Sequence, residues 1–188
     1  MADIVHISTG LRDVSRTDLV GNRAADRLRA RGHAVVDIRV RDLPPGPLLW
    51  RQLDHPGIAA ATHVLQAADA VIVSSAVYQA SFSGLLKVFL DLLPKAGLGG
   101  KDVLPLLVGG SPAHVLTLDY ALRPVLQALG AAHISAGRYV LADGVFLEAD
   151  GGLLFSRDTA DQVDSATDDF AECLEIRRAG EYSRRAFV

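Results

Sequence analysis

Short apolar runs rich in β-branched residues alternate along the chain with longer stretches in which apolar residues recur every three or four positions. That alternation is the signature of strand–helix–strand units built on a parallel sheet, an α/β fold with helices on both faces. Strands are expected at Asp3 to Ser8, His33 to Val40, Ala70 to Ser74, Val103 to Val108 and, with a less regular pattern, Arg138 to Ala142. The third and fourth are apolar without alternation, as strands covered on both faces are. Pro105 lacks an amide donor, so it is expected near its strand's start or at a bulge. Helices are expected at Ser15 to Arg31, Gly57 to Ala67, Ser83 to Leu93, Val115 to Leu129 and Thr159 to Arg178. In the last, Val163, Ala166, Phe170 and Leu174 make a single apolar stripe that fits against the sheet.

Three segments depart from this rhythm. The stretch Ser83 to Leu93 is apolar nearly all round, with only Lys87 and Asp91 polar after its first turn, so one side can meet the sheet while the other needs a second cover. Another subunit, joined through this helix and the Leu116 to Leu129 stretch, would supply that cover and make the protein a homo-oligomer, dimer or tetramer; the alternative is that the loop Arg41 to Pro56 folds over it. That loop holds Pro44, Pro45, Pro47 and Trp50, and its length suggests a wall or lid. After Leu141, Val145-Phe146-Leu147 and Leu153-Leu154-Phe155 flank Asp150-Gly151-Gly152 and read as a small hairpin with a glycine turn. One domain over residues 1–178 is expected, with 179–188 a solvated tail.

Composition narrows the class. The 188 residues are 49% hydrophobic and 22% charged, with 19 Lys and Arg against 22 Asp and Glu, which leaves no electrostatic footprint for nucleic acid. At this length about 70% of the unfolded surface can be buried, so no disulfide or metal staple is needed. The single cysteine, Cys173, excludes a disulfide framework and a Cys-pair metal or redox motif, and points to a reducing cytoplasm. The start Met1-Ala2-Asp3-Ile4 has no signal-peptide pattern, and no run of about 18 uncharged apolar residues exists to span a membrane. The six histidines form no i,i+4 pair and no HExxH motif, so no metal site is expected.

Candidate chemistry gathers in three strand-to-helix loops. After the first strand, Ser8-Thr9-Gly10-Leu11-Arg12-Asp13-Val14-Ser15-Arg16-Thr17 brings hydroxyls, a glycine and two arginines to a helix N-terminus, where backbone N–H groups already favour an anion. Ser15 can cap the helix, while Arg12 or Arg16 can fork onto a phosphate. An ordinary capped helix would look the same. No GxGxxG or GxxxxGK[ST] follows any strand, so a dinucleotide held in the Rossmann manner is disfavoured. After the third strand, Val77-Tyr78-Gln79-Ala80 offers an aromatic ring beside a close backbone approach. After the fourth, Gly109-Gly110-Ser111 does the same without the ring. Ligands of open α/β sheets sit beyond the strand C-termini, so these loops would share one crevice. The run Gly109-Gly110-Ser111-Pro112-Ala113 also imitates the GxSxG elbow of hydrolases, but of the histidines after it His114 adjoins the motif itself and His133 comes before Asp143, which is the wrong order for a triad with that acid.

Ser15-Arg16-Thr17, Val77-Tyr78, Ser83-Gly84-Leu85-Leu86-Lys87, Leu90-Asp91-Leu92-Leu93-Pro94, Gly109-Gly110, Ala113-His114 and Asp119-Tyr120-Ala121-Leu122-Arg123-Pro124-Val125-Leu126 together resemble the NAD(P)H-dependent FMN reductases, especially those that serve alkanesulfonate-utilising two-component monooxygenases. The resemblance spans about residues 3–135. It implies a flavodoxin-like three-layer sandwich with a five-stranded parallel sheet in the order 2-1-3-4-5. It implies FMN and NADPH, or NADH, as cofactors, with Arg12, Ser15, Arg16 and Thr17 on the FMN phosphate. Val77, Tyr78, Gln79 and Ala80, with Gly109, Gly110 and Ser111, would contact the isoalloxazine. No protein residue is expected to act as acid or base, because the flavin carries the chemistry. The family usually has Gly-Ser where this chain has Thr9-Gly10, and proline where it has Ala76. In the relatives it most resembles, the tyrosine matching Tyr120 is an insertion that makes a π-helix at the tetramer interface, and it implies a flavin that comes and goes. A quinone, azo or chromate reductase with retained FMN, a flavodoxin-type electron carrier and a structural oligomer remain alternatives.

Overall fold

In β1 (Asp3–Ser8) every residue after Asp3 is buried, so this strand has to lie inside the sheet. It pairs in parallel with β2 (Ala34–Arg39) on one side and β3 (Ala70–Tyr78) on the other, with Ser8 opposite both Arg39 and Ser74. The computed structural model describes residues 1–13, 15–147 and 153–185. β3 continues the sheet onto β5 (Asp102–Gly109), which is buried from end to end. The long strands follow the expected flavodoxin-like order, but the sheet has seven strands rather than five. Its last place is shared by β6 (His133–Ile134), beside Asp102 and Val103, and β7 (Arg138–Leu141), beside Leu106 to Gly109. A two-residue strand, β4 (Ser81–Phe82), turns back antiparallel on β3.

Pro105 stands mid-strand, with unbroken register to β3 through Val73, neither at the start of β5 nor at a bulge. Its position is tolerable for another reason. The Val103 carbonyl accepts from Ser135 N at 3.0 Å, so Val103 and Pro105 turn their backbone toward the β6–β7 edge. Pairing there stops at Ile134 and resumes at Arg138, and the missing donor falls in that gap.

Two apolar layers cover the sheet. On one face Val5, Ile7, Val71, Val73, Val103 and Leu107 pack with Ile58 and Leu65 of α3 (Pro56–Ala67), Leu86 and Phe89 of α4 (Gly84–Leu90), and Leu126 of α5 (Arg123–Ala128). On the other, Ile4, Ile72, Leu104 and Leu106 meet Val20 and Leu28 of α1 (Arg16–Ala30) and the stripe Val163, Ala171, Phe170 and Leu174 of α6 (Arg157–Arg185). α6 runs past the expected end at Arg178. α4 is shorter than expected, and Val40–Asp42 with the short helix α2 (Pro45–Leu49) lies against it, Leu43 and Leu48 joining its core. That cover came from the loop the periodicity left open as the alternative. The stretch expected as one helix from Val115 to Leu129 is divided into a π-helix at Leu118–Leu122 and α5, with a separate short turn at Pro112–His114 before it. The hairpin strands pair as expected, β8 (Val145–Leu147) with β9 (Leu153–Phe155), while its glycine turn lies outside the described residues.

α1 and α6 are also clasped by charge. Arg23 forks onto Asp164 at 2.7 and 2.8 Å, and Arg27 onto Asp168 at 2.7 and 2.6 Å, with Arg31 reaching Asp168 and Glu175. The hydrogen bond from Arg27, followed by the charges of Arg27 and Arg31, outweighs burial and holds the Asp168 carboxyl below its ordinary 3.8. A carboxyl depressed in the folded state stabilises above its unfolded pKa and loses that contribution as pH falls through the lower, folded value. Asp168→Asn should therefore cost about 1 kcal/mol or less near pH 7, since the pair is partly exposed. In urea titrations the gap between the variant and the parent protein should close as the pH drops below about 4.

Candidate functional site

β1 stops at Ser8, whereas β3 and β5 stay paired for two residues beyond Ser74, through Ala76 opposite Val108. The overhang leaves a shelf above the end of β1, and a cavity of ≈ 630 Å³ opens on it. Leu11, Arg12, Ser15, Arg16 and Thr17 line it from the loop after β1, Ala76, Val77 and Tyr78 from the end of β3, and Val108, Gly109 and Gly110 from the end of β5. Ala142, just past β7, closes the side.

Eight of the expected site residues, namely Arg12, Ser15, Arg16, Thr17, Val77, Tyr78, Gly109 and Gly110, thus meet in one crevice. Gln79, Ala80 and Ser111 lie next to it without lining it. Gln79 and Ala80 have φ of 48° and 58°, left-handed values at the tip of the tight turn joining Tyr78 to Ser81, where a side chain is strained. The Ala80 carbonyl accepts from Thr117 Oγ1 at 3.2 Å, which fastens the tip to the segment leading into the π-helix. Ser111 Oγ accepts from Ala113 N at 3.2 Å and makes no bond to histidine among the described residues, so the hydrolase elbow is only a likeness of sequence. None of residues 41–56 lines the cavity, contrary to the wall or lid suggested by that loop, and Trp50 is exposed. Leu11, Ala76 and Val108 carry no signal in the sequence, being plain apolar neighbours of the residues that do. Ala142 follows a short strand with no motif of its own.

The local folding explains how these loops are held. Ser15 caps α1 by accepting from Asp18 N at 3.2 Å, leaving the first backbone donors of a 15-residue helix at the cavity rim. Arg16 Nε donates to the Val145 carbonyl at 2.8 Å, and its terminal nitrogens make no protein hydrogen bond among the described residues. Beneath the shelf, Ser75, Ser83 and Thr9 share a buried hydroxyl chain with links of 3.1 Å, ending on the Ser74 carbonyl, and Ser83 also caps α4. This chain ties the first loop to the β3–α4 connection.

A second buried polar group is a serine–histidine–aspartate line that the sequence offered no way to see. His6 lies 2.8 Å from both Ser74 Oγ and Asp37 Oδ1. Ser74 is wholly buried among packed strands, so no substrate reaches it and the line is structural. The hydrogen bond with His6 is the main reason the Asp37 carboxyl lies below its usual range.

The two glycines of the β5 loop play different parts. A Cβ on Gly109 would lie 1.9 Å from Tyr139 Oη, which donates to the Ser111 carbonyl at 2.7 Å. Burial pushes the Tyr139 phenol above its ordinary value, so it stays a donor there. A Cβ on Gly110 would meet nothing within 4 Å, being directed into open space. Gly109→Ala should cost about 1–3 kcal/mol by forcing Tyr139 aside, and Gly110→Ala should stay within about 0.5 kcal/mol of the parent protein. Chemical denaturation of the two variants checks this; equal losses would mean that Tyr139 does not set the limit at Gly109.

Against known proteins, residues 2–145 match the family model of NADPH-dependent FMN reductase. The chain is 35% identical over 174 residues to an Escherichia coli FMN reductase (NADPH), covering 93% of this chain and 91% of that protein. It is 46% identical over 123 residues to a Pseudomonas putida FMN reductase (NADPH), 65% of this chain and 62% of the relative's length. Among solved structures, the apo form of the NADH:FMN oxidoreductase EMOB superposes with a TM-score of 0.82 at 37% identity, covering 90% of this chain and 88% of that one.

Proposed function

The chain belongs to the NADPH-dependent FMN reductase family, and on that premise we propose that it passes hydride from NADPH, or NADH, to FMN in the strand-end cavity and releases reduced flavin to a partner two-component monooxygenase. The observation that carries the reading is the convergence of Arg12, Ser15, Arg16 and Thr17 with Val77, Tyr78, Gly109 and Gly110 around a single opening.

The residues present fit an FMN molecule. A volume of ≈ 630 Å³ is in the range of about 300–1,000 Å³ usual for small-ligand sites. An anionic end fits the α1 N-terminus with its two arginines, and a flat apolar ring fits against Val77, Tyr78 and the bare backbone at Gly110, where no side chain intrudes. Bound FMN would supply the electron-accepting chemistry, so the chain needs no acid or base of its own. Its residues have three tasks. Arg12 and Arg16 hold the phosphate through charge-assisted bonds. The strand ends fix the ring's plane, which sets the orientation that a hydride donor must meet. Backbone donors of the Val77–Ala80 and Gly109–Ser111 segments would stabilise the negative charge that grows on the ring on reduction.

Release to a separate enzyme accords with an open crevice and a half-exposed Tyr78. The homo-oligomer is supported by an exposed apolar surface of Val115, Leu116 and Tyr120, with Tyr120 at the middle of the π-helix Leu118–Leu122. Among the described residues no helix is long and apolar enough to cross a membrane, and no group of three or more His, Cys, Asp or Glu is placed to hold a metal ion.

Mixing the purified protein with FMN and either nicotinamide should consume absorbance at 340 nm, and gel filtration should return the flavin largely free. A protein that leaves both nicotinamides unoxidised in excess FMN would be an electron carrier. Arg16→Ala should weaken FMN binding about tenfold or more, the loss of a charge-assisted bond of roughly 1.5–3 kcal/mol. Flavin fluorescence titration measures it, and unchanged affinity would place the phosphate elsewhere.

A further inference from the structure

Next to the residues that would receive the phosphate lies a buried acid. Asp18, in the first turn of α1, is buried and accepts a hydrogen bond from Ser8 Oγ. Among the described residues no arginine, lysine or histidine forms an ion pair with it. The other acid of the loop, Asp13, is fully exposed and has Arg41 3.3 Å away. A buried carboxylate without a cation has to be stabilised by dipoles, and the nearest are the Ser8 hydroxyl and the positive end of α1. The helix end is also the dipole a phosphate bound there would use.

Its position is specific. A Cβ built on Gly10 would stand 2.3 Å from Asp18 Oδ1 and 2.3 Å from Ser15 Oγ. The carboxylate therefore fills the room a side chain at position 10 would occupy and is a near neighbour of Ser15, which lines the cavity. Gly10 is what admits it, and the group that fills that place is a hydrogen-bond acceptor. Of the loop's charges, Asp13 has Arg41 beside it, which leaves Arg12 and Arg16 offset by Asp18 alone and the cradle with one net positive charge toward a dianion.

We infer that Asp18 is a specificity-determining residue that weakens phosphate capture, so that the site takes its flavin mainly by the ring and ribityl chain and accepts uncharged riboflavin nearly as well as FMN. This rests on the flavin reading above and adds the substrate range of the same site. Arg16 and Asp18 act on the phosphate with opposite sign, and neither has a charge to act on in riboflavin.

The test is a pair of fluorescence-quenching titrations, FMN and riboflavin, on the parent protein and on Asp18→Asn, whose amide oxygen can still accept from Ser8. The parent should bind the two flavins within about tenfold of each other, and Asp18→Asn should tighten FMN about tenfold while moving riboflavin less than about twofold. An FMN preference above about a hundredfold in the parent protein, or an Asp18→Asn variant of normal thermal midpoint with an unchanged FMN-to-riboflavin ratio, overturns the inference and leaves the reductase reading standing. A parent protein that binds neither flavin overturns both.

Discussion

Parallel pairing in which one strand ends before its neighbours is the constraint on which the site depends. A parallel sheet buried on both faces leaves its backbone free only at strand ends, so a ligand can approach the main chain only there. Here Ser8 is the last paired residue of β1, whereas β3 and β5 continue together through Ala76 and Val108. The step between them forces the chain after β1 to cross an exposed shelf before α1 begins at Arg16. Had β1 run two residues further, its own backbone would occupy that shelf. The cavity is thus a consequence of register, and the apolar cores on both faces make the register costly to change, since a slip of one residue would turn Ile4, Ile7, Ile72 and Val73 to the wrong layers.

Polar groups beneath the shelf do what apolar packing cannot. Loops carry backbone donors and acceptors that must be satisfied, and here hydroxyls satisfy them. The Thr9–Ser83–Ser75 chain crosses from the β1 loop to the β3–α4 connection, and Thr9 N is received by the Ser74 carbonyl at 3.2 Å. His6 adds a cross-link between β2 and β3 through Asp37 and Ser74. These bonds restrict the loops' positions relative to the strands that carry them, which is what a site made of three separate segments needs in order to present one surface.

The strand and helix layers could be read from the chain because apolar periodicity is a local property. β1, β5, α1 and the α6 stripe all fall where the pattern places them. What escaped was decided by distant partners. Ser75 and Ala76 break the apolar run, so the strand reads as ending at Ser74, yet pairing with β5 and the hairpin to β4 keeps the chain extended through Tyr78. The turn at Gln79 and Ala80 lacks the glycine that usually betrays two left-handed residues. The π-helix at Leu118–Leu122 keeps the apolar content of an ordinary helix, so periodicity alone draws a single rod through it. Of the site, the arginines, hydroxyls and glycines were visible as chemistry. The place of Asp18 was not, because its significance lies in the space left by Gly10, and that juxtaposition exists only once the loop is folded.

Three departures from local rules lie around one opening, namely the left-handed Gln79 and Ala80 at the β3–β4 turn, a π-helix anchored near it through Thr117 and Ala80, and a buried acid at the start of α1, while left-handed Arg51 and Ala96 stand outside it. Each costs stability where it stands. Strain held at an opening is what a site that works by placement produces. When the reacting groups are carried by the bound molecules, the protein gains nothing from a tuned acid or base, and the perturbed groups beside the opening are in fact structural, the raised Tyr139 phenol serving as a donor to the Ser111 carbonyl. Selection then falls on shape and on how firmly the flavin is held. On the proposed placement the strained hairpin would fix where the ring lies, and an acid beside two arginines would temper the hold on its phosphate.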